Sequence, residues 1–434
     1  MSDWLYLFEH ETISFPWTDQ DLATIERLNQ VTGTEILKVT TRNGKRALQA
    51  KEYVGIFRFG KHTIQVLPKI YWASAELDPD ERARQATRNL LYLLAYAGKL
   101  PISEQAIVPL LKRNLDWFEI LTHLFSIHLL EEWKKGAYRT YQTFDVDLTV
   151  LKGKWRIADQ IRRPDRRHIF PVIFDEFTPD NSLNRLFRYV VERLWRLSRD
   201  SENRHNLEII RQWMEDVALL SSMTLADAEK IQLTRLNQRY EPLLNLACLF
   251  LDDSALQLTS GAHAAFVFVF DMNMLYEAFV SNFIKRNRKE ILQENLSHCD
   301  ILPQTRGATR FLATQNNRRL FRLKPDLAFR SGNTFPLLLD TKYKRLNQAD
   351  ARLGISQADF YQMYAYARRY QSPRVLLLYP QMVDMPKPLQ AHFQLEEEGQ
   401  LICVETLDLH EDLGSPAGKQ SIISQLRKIL GEGI

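Results

Sequence analysis

Asp326, Asp340 and Lys342 are the residues whose types and spacing point to chemistry. Asp340 closes the apolar run Phe335-Pro336-Leu337-Leu338-Leu339 and is followed by Thr341-Lys342-Tyr343-Lys344. Upstream, Arg322–Phe329 carries Pro325-Asp326, and Ser331-Gly332-Asn333 supplies a turn. The pattern predicts two strands joined by that turn. Residues two apart on a strand share a face, so Asp340, Lys342 and Lys344 project together. The apolar run reads as a buried strand whose end reaches a polar cleft, and Asp326 brings a second carboxylate from the neighbouring strand. Two carboxylates suit one or two Mg²⁺ ions, which take oxygen ligands and keep several waters. Such a site activates water, and a nearby lysine stabilises charge on an attacking hydroxide or a phosphate. The grouping suits phosphodiester hydrolysis, although Asp-x-Lys alone also describes a solvated strand end.

Pro-Asp, a gap and Asp-x-Lys together resemble the PD-(D/E)xK nuclease signature. Two helices must flank these strands. Ser356 and Asp359 form a capping-box pattern that predicts a helix start. Its expected apolar stripe is Phe360, Met363, Tyr364 and Ala367. Gln362 and Tyr366, at i and i+4, are expected beside each other and off that stripe. They resemble the Gln-x-x-x-Tyr element that follows the catalytic lysine in RecB-like nucleases of this superfamily, whereas the plain reading is a packing helix. A second helix is expected from Asp271 to about Asn287, with Tyr276, Phe279, Val280 and Phe283 as its stripe and Glu277 at the edge. The resemblance implies that Glu277 completes the metal site and that Gln362 and Tyr366 act beside Lys342. Lys344 is expected to contact DNA.

The 434 residues exceed one ordinary core. A hydrophobic share of 45% and a charged share of 25% are those of a globular protein in water. A net charge of +4 permits DNA binding without demanding it. Cys248, Cys299 and Cys403 are far apart and match no zinc spacing. No apolar run approaches the roughly 18 residues a membrane span needs, and the first residues lack the pattern of a secretory signal. A cytoplasmic location is expected.

In chain order, residues 1–76 read as a small curved β-rich domain. Arg42-Asn43-Gly44-Lys45 carries a hairpin signal. Arg42, Lys45 and Arg46 make one basic tip, and Arg58 and Lys61 stand near another. Gly55 to Lys61 nearly matches a phosphate-binding loop, but His62 stands where Ser or Thr would ligate Mg²⁺. The context is strand, turn, strand, so no nucleotide is expected on this chain. Residues 77–255 read as mainly helical, with Asp180 expected to cap a helix running to Arg199. Strands are expected near 138–144 and 169–177. Between them Lys152, Lys154, Arg156, Arg162, Arg163, Arg166 and Arg167 form a basic stretch that suits phosphate contacts or a solvated loop. Residues 256–434 hold the Asp/Lys cluster among alternating strands and helices, an α/β region.

Most of the chain resembles the McrC family, nuclease subunits of McrBC-type (type IV, 5-methylcytosine-dependent) restriction systems. The carriers are Val66-Leu67-Pro68-Lys69-Ile70, Arg88–Ala97, Asp175-Glu176-Phe177-Thr178, Asn181–Arg185, Asp271-Met272-Asn273 and the Pro-Asp and Asp-Thr-Lys-Tyr-Lys core. The resemblance implies a multidomain α+β chain: an N-terminal β-rich partner-docking domain, a helical middle, and a C-terminal PD-(D/E)xK restriction-endonuclease-like domain. It also implies a ring of an McrB-like AAA+ GTPase as partner, which reads the DNA, and double-stranded DNA as substrate. The intact Asp326/Asp340/Lys342 set argues against a non-catalytic adaptor. The large N-terminal and helical regions argue against a stand-alone RecB-like nuclease.

Overall fold

The computed structural model describes residues 3–32, 34–59, 62–72, 78–98, 117–251, 265–304, 308–385, 387–396 and 399–431. Two compact units emerge: residues 1–114 with 260–434, and residues 115–259. The first and last segments of the sequence thus share one unit.

That unit opens with β1 (Asp3–Phe8), β2 (Thr12–Ser14), β3 (Leu37–Arg42), β4 (Lys45–Ala50), β5 (Tyr53–Phe59) and β6 (His62–Leu67). Asn43 and Gly44 both take positive φ, 51° and 72°, and join β3 to β4 with Arg42 opposite Lys45. Two left-handed residues match the strand twist there, as the Asn-Gly pair predicts. Thr18 and Asp21 exchange the reciprocal bonds of a capping box ahead of the helix Asp19–Thr32. Arg46 pairs with Asp19 at 2.5 Å, and Arg42 donates to the Thr12 carbonyl at 2.9 Å. Lys61 and the side chain of Arg58 lie outside the described residues.

The second unit packs the helices Trp117–Lys134, Ser182–Leu197, Ser201–Trp213 and Glu241–Leu251 around Phe125, Phe187 and Phe250. A three-stranded sheet of β7 (Thr140–Leu148), β8 (Lys154–Trp155) and β9 (Phe170–Thr178) has β9 in the middle. The basic stretch is therefore not a bare loop, since β8 and a helical turn at Ile157–Ile161 run through it. Asn181, not Asp180, caps the helix Ser182–Leu197, accepting from the Asn184 N–H at 3.1 Å. Asp180 turns instead to Arg185, at 2.6 Å.

Back in the first unit follow β10 (Ala265–Asp271), β11 (Asp300–Pro303), β12 (Arg310–Gln315), β13 (Arg318–Leu323), β14 (Leu327–Ser331), β15 (Thr334–Thr341), β16 (Arg374–Pro380), β17 (Gln390–Gln394) and β18 (Leu401–Leu407). β10 completes the N-terminal sheet in the order β1-β6-β5-β10. Gly55 makes this pairing work: a Cβ there would lie 1.9 Å from the Phe268 carbonyl oxygen. The glycine that opens the phosphate-loop-like stretch serves close strand approach.

A six-stranded mixed sheet, β11-β14-β15-β16-β18-β17, carries the candidate site. β15 and β16 are parallel, joined through the helix Gln357–Tyr370, and all seven residues of β16 are buried. Such near-continuous apolar strands are expected when helices cover a sheet. The segment expected as one strand at 322–329 is split between β13 and β14, with Lys324-Pro325-Asp326 between them. Proline has no N–H for the ladder and forces the break. Among the described residues no helix is long and apolar enough to cross a membrane.

Candidate active site

β15 delivers Asp340 near its end, where the carboxylate is only 2% exposed. Lys342 follows the strand, its N–H still bonded to the Leu378 carbonyl at 3.0 Å. The lysine therefore keeps the extended path and returns to the face of Asp340. Lys342 Nζ lies 2.6 Å from Asp340 Oδ2 and donates to Gln362 Oε1 at 3.1 Å. Asp326 enters from the bend before β14. Its Oδ2 accepts from the Thr341 N–H at 2.7 Å and from the Thr341 hydroxyl at 2.6 Å. The residue between Asp340 and Lys342 thus orients the second carboxylate.

The helix Met272–Arg286 brings Glu277. Asp271 caps it, accepting from the Asn273 N–H at 2.7 Å, and the expected stripe is buried. Gln304 donates to Glu277 Oε1 at 3.1 Å while its own N–H bonds the Asp326 carbonyl at 2.9 Å. The helix Gln357–Tyr370 starts at Ser356, whose hydroxyl accepts from the Asp359 N–H at 3.1 Å. Its buried face runs through Asp359, Met363, Tyr366, Ala367 and Tyr370, which corrects the expected stripe. Tyr366 belongs to that face and Tyr364 is exposed. Burial of Tyr366 is tolerated because Gln362 Nε2 donates to its hydroxyl at 2.8 Å.

Electrostatics follow from this crowding. Burial, together with Asp340 and Glu277, pushes the Asp326 carboxyl up to about 8. Burial pushes Asp340 up to about 6, against the pull of Lys342. For Lys342, burial favours the neutral amine, but Asp340 overrides it and the pKa rises. Asp359 is held below the usual carboxylate range: burial works upward, while Lys344 at 2.7 Å and the Ser356 hydroxyl prevail.

Asp326, Asp340, Lys342, Glu277, Gln362 and Tyr366 therefore form one connected cluster, with Lys344 reaching it through Asp359. Thr341, Gln304 and Asp359 were not singled out from the sequence as site residues. Thr341 was signalled by its place inside Asp-Thr-Lys and Asp359 by its capping pattern, but nothing local marks Gln304. Lys152, Lys154, Arg156, Arg162, Arg163, Arg166 and Arg167 lie in the other unit. There Arg156 pairs with Asp145 at 2.7 Å, Arg163 with Asp147 at 2.8 Å and Lys152 with Glu176 at 3.2 Å.

The donor set fits a hard cation. Two inward-facing carboxylates with raised pKa values are what a divalent ion would relieve. Among the described residues no three His, Cys, Asp or Glu side chains already enclose a metal position. Magnesium needs only one or two carboxylates, with water and phosphate oxygens completing its shell.

A family model described as the McrBC 5-methylcytosine restriction system component matches residues 48–380, well over half of the chain. The chain belongs to the McrBC family. Its fold matches a chain of a Thermococcus gammatolerans structure described as a half-complex of McrB AAA+ hexamers with bound McrC. The TM-score is 0.74 at 21% identity, covering 98% of this chain and 100% of that one. A cryo-EM structure of the McrBC complex from the same organism gives a TM-score of 0.51 at 23% identity, covering 66% of this chain and 88% of that one. No curated protein matches. The McrBC relatives share a mixed α/β, multidomain fold with this chain.

Proposed function

We propose that this chain is the Mg²⁺-dependent, DNA-cleaving subunit of an NTP-driven, modification-dependent restriction complex, with a PD-(D/E)xK-type nuclease site. The observation that carries the reading is the convergence of Asp326, Asp340 and Lys342, with Glu277 beside them. Asp326 and Asp340, assisted by Glu277, would hold one or two Mg²⁺ ions, which when bound supply an activated water and offset phosphate charge. Thr341 holds Asp326 in orientation. Lys342 presents a charged ammonium, fixed between Asp340 and Gln362, to an attacking hydroxide or to the phosphorane oxygens. Gln362 ties Lys342 to Tyr366 and keeps its long stem from wandering. Lys344 neutralises a neighbouring DNA phosphate.

The partner in this reading is an McrB-like AAA+ GTPase ring, as bound McrC is described in the Thermococcus structure. The β3–β4 hairpin, with Arg42, Lys45 and Arg46 near its turn, is the docking element, and Arg58 and Lys61 are assigned to docking from the sequence alone. Docking there stimulates GTP hydrolysis, while the ring reads the modified DNA. The test mixes the full chain, the partner GTPase, GTP, Mg²⁺ and methylated or unmethylated duplex. Cleavage should need all components and the methylated DNA. Asp340→Ala should still stimulate GTP hydrolysis but not cut, whereas Arg42→Glu with Lys45→Glu should stimulate poorly. Cleavage by Asp340→Ala would sink the nuclease assignment.

A further inference from the structure

Glu9 stands just beyond β1 and takes no part in the cluster above, yet it is 0% exposed. Its Oε2 accepts from the Tyr343 hydroxyl at 2.7 Å and from the Lys69 N–H at 2.9 Å. Lys69 Nζ lies 3.9 Å from Oε1. Burial pushes the carboxyl up to about 7, against the pull of Lys69. An apolar side chain would fill this space at lower desolvation cost, but it would lack these directional bonds.

Tyr343 is what those bonds hold. It lies between Lys342 and Lys344, and its side chain leaves an extended chain on the opposite side. Its ring is buried, 6.0 Å between centroids from Tyr276, the neighbour of Glu277. Lys69 Nζ sits 4.5 Å from the ring centroid. One ring thus touches the N-terminal region and the helix that carries Glu277, and its backbone continues the segment that carries Lys342. Strand β15 ends at Thr341, so the paired ladder does not fix Tyr343. The last backbone bond to β16 is from the Lys342 N–H to the Leu378 carbonyl, and Tyr343, the first buried side chain after it, adds the next anchor through its hydroxyl.

We propose that Glu9, acting through the Tyr343 hydroxyl, is a positioning residue that holds Lys342 in register with Asp340. The proposal rests on the reading of Lys342 as the charge-stabilising group. It makes the N-terminal region part of the catalytic apparatus, not only a docking element. A displacement of about 1 Å at a reacting centre can cost on the order of a hundredfold in rate, so loss of this strut should appear in turnover.

The test uses the full chain with its partner GTPase and methylated DNA. Tyr343→Phe removes one oxygen and keeps the ring. It should lower kcat for cleavage by about tenfold or more, leaving KM for DNA, the Mg²⁺ concentration for half-maximal rate and GTPase stimulation unchanged. Glu9→Gln keeps an oxygen acceptor for both donors and should stay within about threefold of wild type, because the bond and not the charge does the positioning. Glu9→Ala with Tyr343→Phe should have no lower kcat than Tyr343→Phe alone, since both break the Tyr343–Glu9 bond and the Lys69 bond that Glu9→Ala also removes does not touch the segment of Lys342. Wild-type kcat in Tyr343→Phe overturns the proposal. So does a loss confined to KM or melting temperature, a tenfold drop in Glu9→Gln, or full additivity in the double variant. If Glu9→Ala fails to fold, Tyr343→Phe and Glu9→Gln still decide. Asp340→Ala in the same assay separates the two claims: its activity would overturn both, whereas inactive Asp340→Ala beside fully active Tyr343→Phe overturns positioning alone.

Discussion

The carboxylate cluster beside β15 and the basic stretch around β8 use the same residue types in opposite ways. In the cluster, Asp326 and Asp340 crowd around Lys342 with Glu277 close to both carboxylates, and burial raises the carboxyl pKa values of Asp326 and Asp340. In the basic stretch, Arg156, Arg163 and Lys152 each have an acidic neighbour on the exposed β7–β9 ladder or its flanks. Exposed pairs of this kind are screened and contribute little. The difference teaches that charge count predicts neither role. Excess like charge held out of water marks the place where a cation and a phosphate would be stabilised, whereas balanced charge in water does not.

The largest test of this contrast removes the buried groups. Asp340→Ala, Asp326→Ala and Lys342→Ala should each reduce cleavage by about a thousandfold or more, measured as single-turnover rates. Circular dichroism should show an intact fold, because Asp326 and Lys342 lie just outside strands and Asp340 next to the end of one, away from the apolar core. A folded Asp340→Ala chain cutting at near wild-type rate would erase the distinction between the regions.

Next comes the lysine's support. Gln362→Ala should slow cleavage by about tenfold with the Mg²⁺ titration unchanged, since the amide holds Lys342 and Tyr366 but is not in the carboxylate set. Unchanged turnover in both Gln362→Ala and Tyr366→Phe would return this helix to packing alone.

In the basic stretch the expected change is smaller. Lys154→Ala with Arg167→Ala should weaken DNA binding about threefold and flatten its salt dependence by up to about two phosphate contacts. The chemical step should not change. A hundredfold loss of kcat here would show that this stretch, too, acts at the reacting phosphate.

The smallest effect is on stability. The Asp326 carboxyl is pushed up to about 8 in the folded chain, against about 3.9 when unfolded. Between those values the folded protein holds a proton that the unfolded chain has lost, so stability falls as pH rises through the window. Without metal, Asp326→Asn should melt about 2–4 °C above wild type at pH 8, and the gap should close toward pH 4. Mg²⁺ should raise the wild-type melting temperature at pH 8 more than that of Asp326→Asn. An identical melting curve for both chains at pH 8 would show that the crowding at Asp326 has no energetic weight.

Much of this was legible without coordinates because it is local. Asn43-Gly44 fixes a two-residue hairpin through left-handed backbone, and Ser356 and Asp271 cap helices within a turn of themselves. Alternation along β15 and its extended continuation puts Asp340 and Lys342 on one side. Local patterning misled where tertiary contacts overrode it. Tyr366 was expected off the apolar stripe, but Gln362 satisfies its hydroxyl and lets it be buried. Asp180 was expected to cap, but Arg185 draws its carboxylate away and Asn181 takes the position. The sequence points to a β-rich domain within 1–76, yet β10 supplies the fourth strand of its sheet.

The sequence by itself determined the residues of the cluster, the strands and helices that carry them, and the family resemblance, because periodicity, caps and turns act over a few residues. Only the tertiary structure decided that Gln304 links Glu277 to Asp326, that β10 pairs with β5, and that Glu9 meets Tyr343 across 334 positions. It also decided the raised pKa values of Asp326 and Asp340. The physical reason is common to all four. Burial and hydrogen bonding between distant segments depend on where the chain returns in space, and no short-range pattern encodes that return.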